Sequence, residues 1–140
     1  MSKLPVLDLE TKEQKSVENK KVEKKKRKSY TYDEAFEAST EYFGGDELAA
    51  NVWINKYALK DWDGNIYEQT PDDMHRRLAS EIARIESKYE NPLSEKEIFL
   101  LLKDFKYIIP QGGPMTGMGN DHQIASLSNC FVIGNNGPSD

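Results

Sequence analysis

Four helix-forming segments precede any convincing long-range strand in this chain of 140 residues, and this order restricts the fold more than any other feature. Apolar residues recur in each segment at the three- and four-residue spacing of one helical face. Gly44-Gly45 ends the first segment, Tyr30–Phe43, and Asp46 is placed to cap the second, which runs from Glu47 to Leu59. The pattern predicts a mainly helical domain over residues 30–106.

The third and fourth helices have their own start signals. Thr70-Pro71 offers an N-cap followed by proline at the first helical position, and the third helix is expected to run to about Tyr89. Ser94 and Glu97 have the spacing of a capping box, which begins the fourth helix. The inward faces are expected to hold Ala49, Ala50, Trp53 and Tyr57 in the second helix, Met74, Leu78, Ile82 and Ile85 in the third, and Ile98, Leu101, Leu102 and Phe105 in the fourth.

Two features within this helical part resemble metal sites but have simpler interpretations. Asp61, Asp63 and Asn65 alternate as calcium ligands do, yet the loop lacks the further spaced carboxylates of such a site. Asp63-Gly64 instead predicts a tight turn, followed by a short strand at 66–67. His75 has no second ligand at i+4, so we expect it at the surface or at the boundary of the buried face.

The residues best suited to an active site lie in a stretch near the carboxyl end, Tyr107–Ile133. It opens with an apolar run at 107–109, continues through a segment with four glycines, and closes with the run 130–133, which contains the only cysteine, Cys130. Two buried strands joined by a glycine-rich loop are typical of an active-site wall. Because Asp140 ends the sequence so soon afterwards, we expect the domain that begins at residue 107 to be truncated.

Charge and composition exclude several functions. Residues 1–28 contain ten Lys and Arg against five Asp and Glu, and residues 29–140 contain nine against nineteen. The acidic body argues against nucleic-acid binding, which needs a basic surface. Residues 1–29 are predicted to be a disordered, lysine-rich tail. The sequence has neither a secretory signal nor an apolar run of membrane-spanning length, which indicates a cytoplasmic protein without a membrane partner.

The sequence around Cys130 allows several interpretations of this residue. A lone cysteine in an apolar strand is most often a buried core residue. A hydrolytic pair with His122 is conceivable, although nothing orients the histidine. A zinc site within the chain is excluded, because one thiol and two distant histidines cannot supply tetrahedral ligation. The glycines could bring backbone N–H groups close to an anion, but they form no P-loop.

Three segments in order resemble the amino-terminal part of the large, catalytic chain of ribonucleotide reductases. They are KYALKDWDGNIYEQTPDDMHRRLASEIARIE, then FKYIIPQGGPMTGMGN, then SLSNCFVIG. The last two look most like the adenosylcobalamin-dependent (class II) branch. The resemblance covers roughly residues 30–140. It implies a helical domain followed, from residue 107, by the first strands of a ten-stranded α/β barrel.

The resemblance also implies roles for individual residues. Cys130 matches one of a redox-active pair, which reduces the ribose 2′ position while a separate thiyl radical abstracts the 3′ hydrogen. Gly113, Pro114 and Asn129 match substrate-contacting positions. Gly113 stands where many relatives have Ser or Thr, so only a backbone contact carries over there. Asp140 falls near an acidic residue that binds the allosteric nucleotide effector.

The implied partners are the remaining barrel portion of the enzyme, a ribonucleotide substrate, adenosylcobalamin and a thioredoxin-type dithiol, with a homodimer as a further expected assembly. The radical cysteine and the second redox cysteine are absent from this sequence, so the chain should be inactive alone. An alternative hypothesis remains open. In it the chain is a helical binding module that completes a partner's sheet through 107–109 and 130–133, with Cys130 structural.

Overall fold

The computed structural model describes residues 27–127 and Cys130. These residues form five α-helices: α1 (Tyr32–Tyr42), α2 (Glu47–Lys56), α3 (Pro71–Glu86), α4 (Glu95–Leu102) and α5 (Gly112–Gly117). A 3₁₀ turn, Lys103–Phe105, follows α4 directly. Helix α1 packs on α2, and α3 packs on α4, on the 3₁₀ turn and on α5. The predicted mainly helical fold is therefore confirmed, and a fifth helix, α5, lies beyond the predicted helical range of residues 30–106.

The first two helices begin and end at residues whose chemistry explains the boundary. Thr31 and Glu34 form a reciprocal capping box at the start of α1, so the helix starts two residues later than expected. Gly44 and Gly45 adopt φ of +66° and +97° after α1, a region that glycine enters without strain. The Asp46 carboxylate accepts a hydrogen bond from Ala49 N–H at 2.9 Å, which confirms the predicted cap of α2.

The segment between α2 and α3 forms a tight turn and two isolated bridges. The Asp61 carboxylate accepts hydrogen bonds from the N–H groups of Asp63 and Asn65 at 3.0 and 2.9 Å and from the Tyr67 hydroxyl at 2.7 Å. The Asn65 side-chain amide also donates to this carboxylate at 2.8 Å, and this bond, with that of Tyr67 and the backbone N–H groups, lowers the pKa of Asp61 to about 2. The turn is therefore as predicted. Ile66 forms single antiparallel bridges with Tyr30 and Lys60 rather than the expected short strand.

The capping predictions for α3 and α4 are confirmed as well. The Asp73 carboxylate accepts hydrogen bonds from the N–H groups of Gln69 and Thr70, and Pro71 is the first residue of α3. The Ser94 hydroxyl and the Glu97 carboxylate form the expected capping box. Both helices end three residues before the expected limit, at Glu86 and Leu102. The core between the helices consists of Ala35, Trp53, Ile54, Ala58, Ile66, Met74, Leu78, Ala79, Ile98, Leu102 and Met115.

His75 is completely buried, so the expected surface or boundary position is wrong. The residues after α4 explain the burial. Asp104 and Phe105 both have positive φ, which turns the chain back over α3. The Phe105 ring then meets the His75 ring edge-on, with 4.6 Å between the ring centres. The buried stripe of α3 is consequently wider than the Met74, Leu78, Ile82 and Ile85 pattern, and Ile85 itself is exposed.

Residues 107–109 do not form the expected buried strand. Tyr107, Ile108 and Ile109 are exposed, and no strand is present in the described part of the chain. The N–H of Ile108 donates to the Leu101 carbonyl at 3.0 Å, so this backbone donor is already bonded within the helical domain. A strand also needs a neighbour, and among residues 27–127 none lies alongside. The second predicted strand, 130–133, lies outside the described residues except for Cys130.

No helix in the part of the chain described by the structure has both the length and the apolar character needed to cross a bilayer.

Candidate functional site

The segment that carries Gly113 and Pro114 is helical rather than an open loop. It forms α5, with Gln111 as the N-cap, and Met118 N–H donates to the Pro114 carbonyl at 3.0 Å. Proline is tolerated here because the first turn of a helix has no intrahelical partner for its N–H groups. The Thr116 hydroxyl donates back to the Gly112 carbonyl at 3.0 Å. The expectation of an extended glycine-rich loop is therefore wrong between Gly112 and Gly117.

Arg77 of α3 attaches α5 to the helical core. Its guanidinium donates to the Met115 carbonyl at 2.8 Å and to the Met118 carbonyl. Carbonyl groups at the end of a helix lack intrahelical donors, and a cation is favourable there because the helix dipole is negative at that end. Arg77 thus acts as a C-terminal cap supplied by another helix.

Glu68 holds the guanidinium in place. Arg77 Nε donates to Glu68 Oε1 at 2.6 Å, and Nη2 donates to Oε2 at 3.2 Å. Glu68 Oε2 also accepts from Leu59 N–H at 2.8 Å. The two side chains are only 8% and 4% exposed. A buried pair of this kind is tolerated because further hydrogen bonds satisfy the remaining polar atoms of both groups.

The residues that follow α5 fit closely against their surroundings. Gly119 has φ of +68°, and a Cβ there would lie 2.9 Å from Arg77 Cγ. A Cβ on Gly117 would lie 2.9 Å from the Ala125 Cβ. Any larger residue at Gly119 would therefore push against Arg77 as well as strain the backbone. At the start of α5, Gly112 faces the Tyr57 ring.

Arg77 and Gly119 also line a surface cleft of about 470 Å³. Tyr67 forms part of its wall and stacks on His122 with 5.0 Å between the ring centres. The charged groups in and around the cleft are largely paired with one another. Besides the pair of Arg77 and Glu68, these pairs are Arg27 with Asp121 and Glu81 with Arg84. The cleft exposes one side of the buried ion pair to solvent.

The structure brings some of the candidate residues together and leaves others apart. Gly113 and Pro114 are adjacent in α5, directly before Met115, one of the residues bonded by Arg77. Cys130 is exposed rather than packed in a core. Asn129 and Asp140 lie outside the described residues. His122 stacks on Tyr67, and its Nε2 lies 3.6 Å from the Asp121 carboxylate.

The Glu68–Arg77 pair was missed by the sequence analysis. The two residues are nine positions apart, and Glu68 precedes α3, so no helical spacing rule connects them. The sequence contains only one weak indication of this pair. Arg77 directly precedes the buried Leu78 in α3, where a long charged side chain has to find a partner.

Residues 43–122 match the family model for the all-alpha domain of ribonucleotide reductase. This match covers more than half of the chain and includes the Glu68–Arg77 pair and all of α5. The chain belongs to the ribonucleotide reductase family. Searches of curated proteins and of solved structures found no match.

The family match confirms the predicted relationship to ribonucleotide reductases. A ribonucleotide reductase all-alpha domain agrees with the helical architecture of residues 32–117. In the part of the chain that the structure describes, no three or more His, Cys, Asp or Glu side chains are grouped to hold a metal ion. In this ribonucleotide reductase domain Arg77 joins α3 to α5, the helix that carries Gly113 and Pro114.

Proposed function

We propose that this chain is the amino-terminal part of the large, catalytic chain of a ribonucleotide reductase, which converts ribonucleotides to deoxyribonucleotides. The observation that supports this most is the match of residues 43–122 to the all-alpha domain of that family. The match ends at His122, eight residues before Cys130. The helical domain, which extends through α5, would lead into the catalytic barrel, and the barrel strands would follow this helical part of the chain.

Cys130 is proposed to be one of the two thiols that reduce the substrate. A separate thiyl radical abstracts the 3′ hydrogen and later returns a hydrogen atom. Meanwhile the C2′–O bond breaks and the hydroxyl leaves as water. Cys130 and a second thiol together supply two electrons and two protons and become a disulfide, which a thioredoxin-type dithiol reduces again. The exposure of Cys130 supports this role, because a redox thiol has to reach substrate and reductant.

The substrate is proposed to contact Gly113, Pro114 and Asn129. Gly113 has no side chain, so it can offer only its backbone groups to the ribose or phosphate. Its place in the first turn of α5 keeps those groups in a fixed geometry. Asp140 is further proposed to contact the nucleotide effector. The substrate is proposed to be a ribonucleoside diphosphate or triphosphate, and the enzyme is proposed to be cytoplasmic.

The described residues do not fit adenosylcobalamin. The clefts of about 470 and 510 Å³ have charged and hydroxylated walls and suit a molecule of ordinary ligand size, whereas a corrin with its nucleotide is much larger. If the enzyme belongs to the cobalamin-dependent branch, other parts of the enzyme bind the cofactor.

The exposed residues after the 3₁₀ turn support docking to a further structural unit. Tyr107, Ile108 and Ile109 are 67%, 45% and 72% exposed, and three adjacent exposed apolar side chains are unfavourable unless a partner covers them. We propose that the barrel portion of the enzyme covers them, with a homodimer as a further possible level of assembly. The same observation also favours the second candidate function, a helical module that completes a partner's sheet and in which Cys130 is only structural.

The two candidates differ in what Cys130 does. The Cys130→Ser variant is assayed in the reductase assembled with its barrel, with Ile124→Ser as a control at a fully exposed position. The proposed function predicts that Cys130→Ser abolishes multiple turnover driven by a dithiol, while Ile124→Ser remains active. Normal multiple turnover by the Cys130→Ser enzyme would remove Cys130 from the mechanism and favour the binding module.

A further inference from the structure

We propose that Arg77 is a positioning residue for ribonucleotide binding, since it holds α5 so that Gly113 and Pro114 keep their place at the substrate. This inference rests on the proposed function, and it assigns a role to a residue remote in sequence from those that touch the nucleotide. The geometry points to Arg77 because it is the described side chain that joins α3 to the carbonyl groups at the end of α5.

Helix α5 needs an external anchor. It has only six residues, and helices shorter than about twelve residues are marginal in water without tertiary contacts. Two of its six residues besides Gly113 are glycines, which lose the most conformational entropy on folding. Met115 inserts into the core, and Arg77 bonds the carbonyl groups of Met115 and Met118. These contacts hold the end of α5 that follows Gly113 and Pro114.

The anchor is itself rigid. Glu68 binds the guanidinium through both carboxylate oxygens and is tied to the Leu59 N–H. The guanidinium therefore bonds a carboxylate with Nε and Nη2 and two carbonyl groups with Nη1 and Nη2. A planar fork with five N–H donors can do this. A lysine ammonium is a single point with three donors and cannot reach all these acceptors at once.

Loss of the anchor should affect binding more than the chemical step. Cys130 and the radical do not depend on Arg77, but a loosened α5 must be ordered again each time a ribonucleotide binds. A displacement of about 1 Å at a substrate-positioning group costs roughly 10²-fold in efficiency. We expect Arg77→Lys to raise KM for the ribonucleotide about 10- to 100-fold and to change kcat about threefold at most. The reason is that the lost interaction stabilises the bound substrate and the transition state equally, so its loss weakens binding without slowing the chemical step.

The test uses two variants that disturb the same contact from opposite sides. Arg77→Lys changes the donor, and Gly119→Ala places a Cβ 2.9 Å from Arg77 Cγ at a backbone φ of +68°. Arg84→Lys is the matched control, because Arg84 lies on the same helix and forms an exposed ion pair with Glu81 at 2.6 Å. Steady-state kinetics of the reductase assembled with its barrel and amide hydrogen exchange of this chain are both measured.

The expected result is a raised KM in Arg77→Lys and Gly119→Ala, an acceleration of exchange that is greatest in residues 112–119, and wild-type behaviour of Arg84→Lys. KM within twofold of wild type in both variants would overturn the inference. Exchange accelerated as much in α3 and α4 as in residues 112–119 would also overturn it, because Arg77 would then act on the whole domain and not on α5 in particular. If the wild-type enzyme turns over no ribonucleotide, the proposed function itself fails and the substrate role of Arg77 fails with it, while localised exchange would still identify the anchor.

Discussion

Replacing Glu68 by alanine should destabilise the helical domain far more than its position at the end of a loop suggests. The change leaves the Arg77 guanidinium, only 8% exposed, without its carboxylate, and it leaves Leu59 N–H without its acceptor. Removing one partner of a buried ion pair costs about 3–5 kcal/mol. An unsatisfied buried N–H costs about 1–3 kcal/mol, and part of this is already included in the first figure. We therefore expect a loss of about 3–5 kcal/mol in the free energy of unfolding.

The assay is urea unfolding of the chain followed by far-ultraviolet circular dichroism, with the unfolding free energy taken from the midpoint and slope. Glu81→Ala is the control, because Glu81 pairs with Arg84 on the surface and such pairs contribute about 0–1 kcal/mol. The loss of unfolding free energy in Glu68→Gln should lie between the losses in Glu68→Ala and Glu81→Ala, since the amide keeps one acceptor oxygen. If Glu68→Ala costs no more than Glu81→Ala, the ion pair is not a stabilising contact of the fold and the reasoning is refuted.

Three further predictions concern titration and capping. Burial lowers the pKa of His75, partly opposed by Asp72 and Asp104, so the unfolded chain takes up the proton first and stability falls as pH drops below about 6.5. His75→Leu should flatten that fall in unfolding measurements between pH 7 and 5. Burial and the same two carboxylates raise the pKa of Tyr42 to about 12, so stability should fall as pH rises above about 10, and less steeply in Tyr42→Phe. Ser94→Ala removes the cap of α4 and should cost about 1 kcal/mol in the same unfolding assay.

Each of these predictions has a result that would contradict it. An acid slope in His75→Leu equal to that of the wild type would assign the pH dependence to other groups. Equal alkaline slopes in Tyr42→Phe and the wild type would mean that the Tyr42 hydroxyl is hydrated in the folded state. A Ser94→Ala domain as stable as the wild type would show that water replaces the cap without cost.

The helices could be predicted from the sequence because their signals are local. Asp46, Thr70-Pro71 and Ser94 each act within one turn of their own helix, so neighbouring residues contain the needed information. The same holds for Gly44-Gly45, where the backbone conformation depends on the residue itself. The helix ends were less accurate, because fraying depends on what packs against the last turn.

The structural features that the sequence did not predict all depend on contacts between residues distant in the chain. His75 is buried because Phe105, thirty positions later, turns back over it. Helix α5 is bonded by Arg77, which lies 38 residues before Met115. The run 107–109 has the composition of a strand but has no neighbouring strand among residues 27–127. Of the candidate site, Gly113 and Pro114 could be found by resemblance, whereas the buried pair that holds them has no signature within a short window of sequence.

The long separation between Arg77 and its acceptors sets an order for folding on the ribosome. Met118 follows Arg77 by 41 residues, which at about 5–20 residues per second takes roughly 2–8 s to synthesise. A helix forms within about 1 μs, so α3 and the Glu68–Arg77 pair can form while the remaining donors of Arg77 still face water. Helix α5 is synthesised later and displaces that water, so among the described helices it is the last to join the fold.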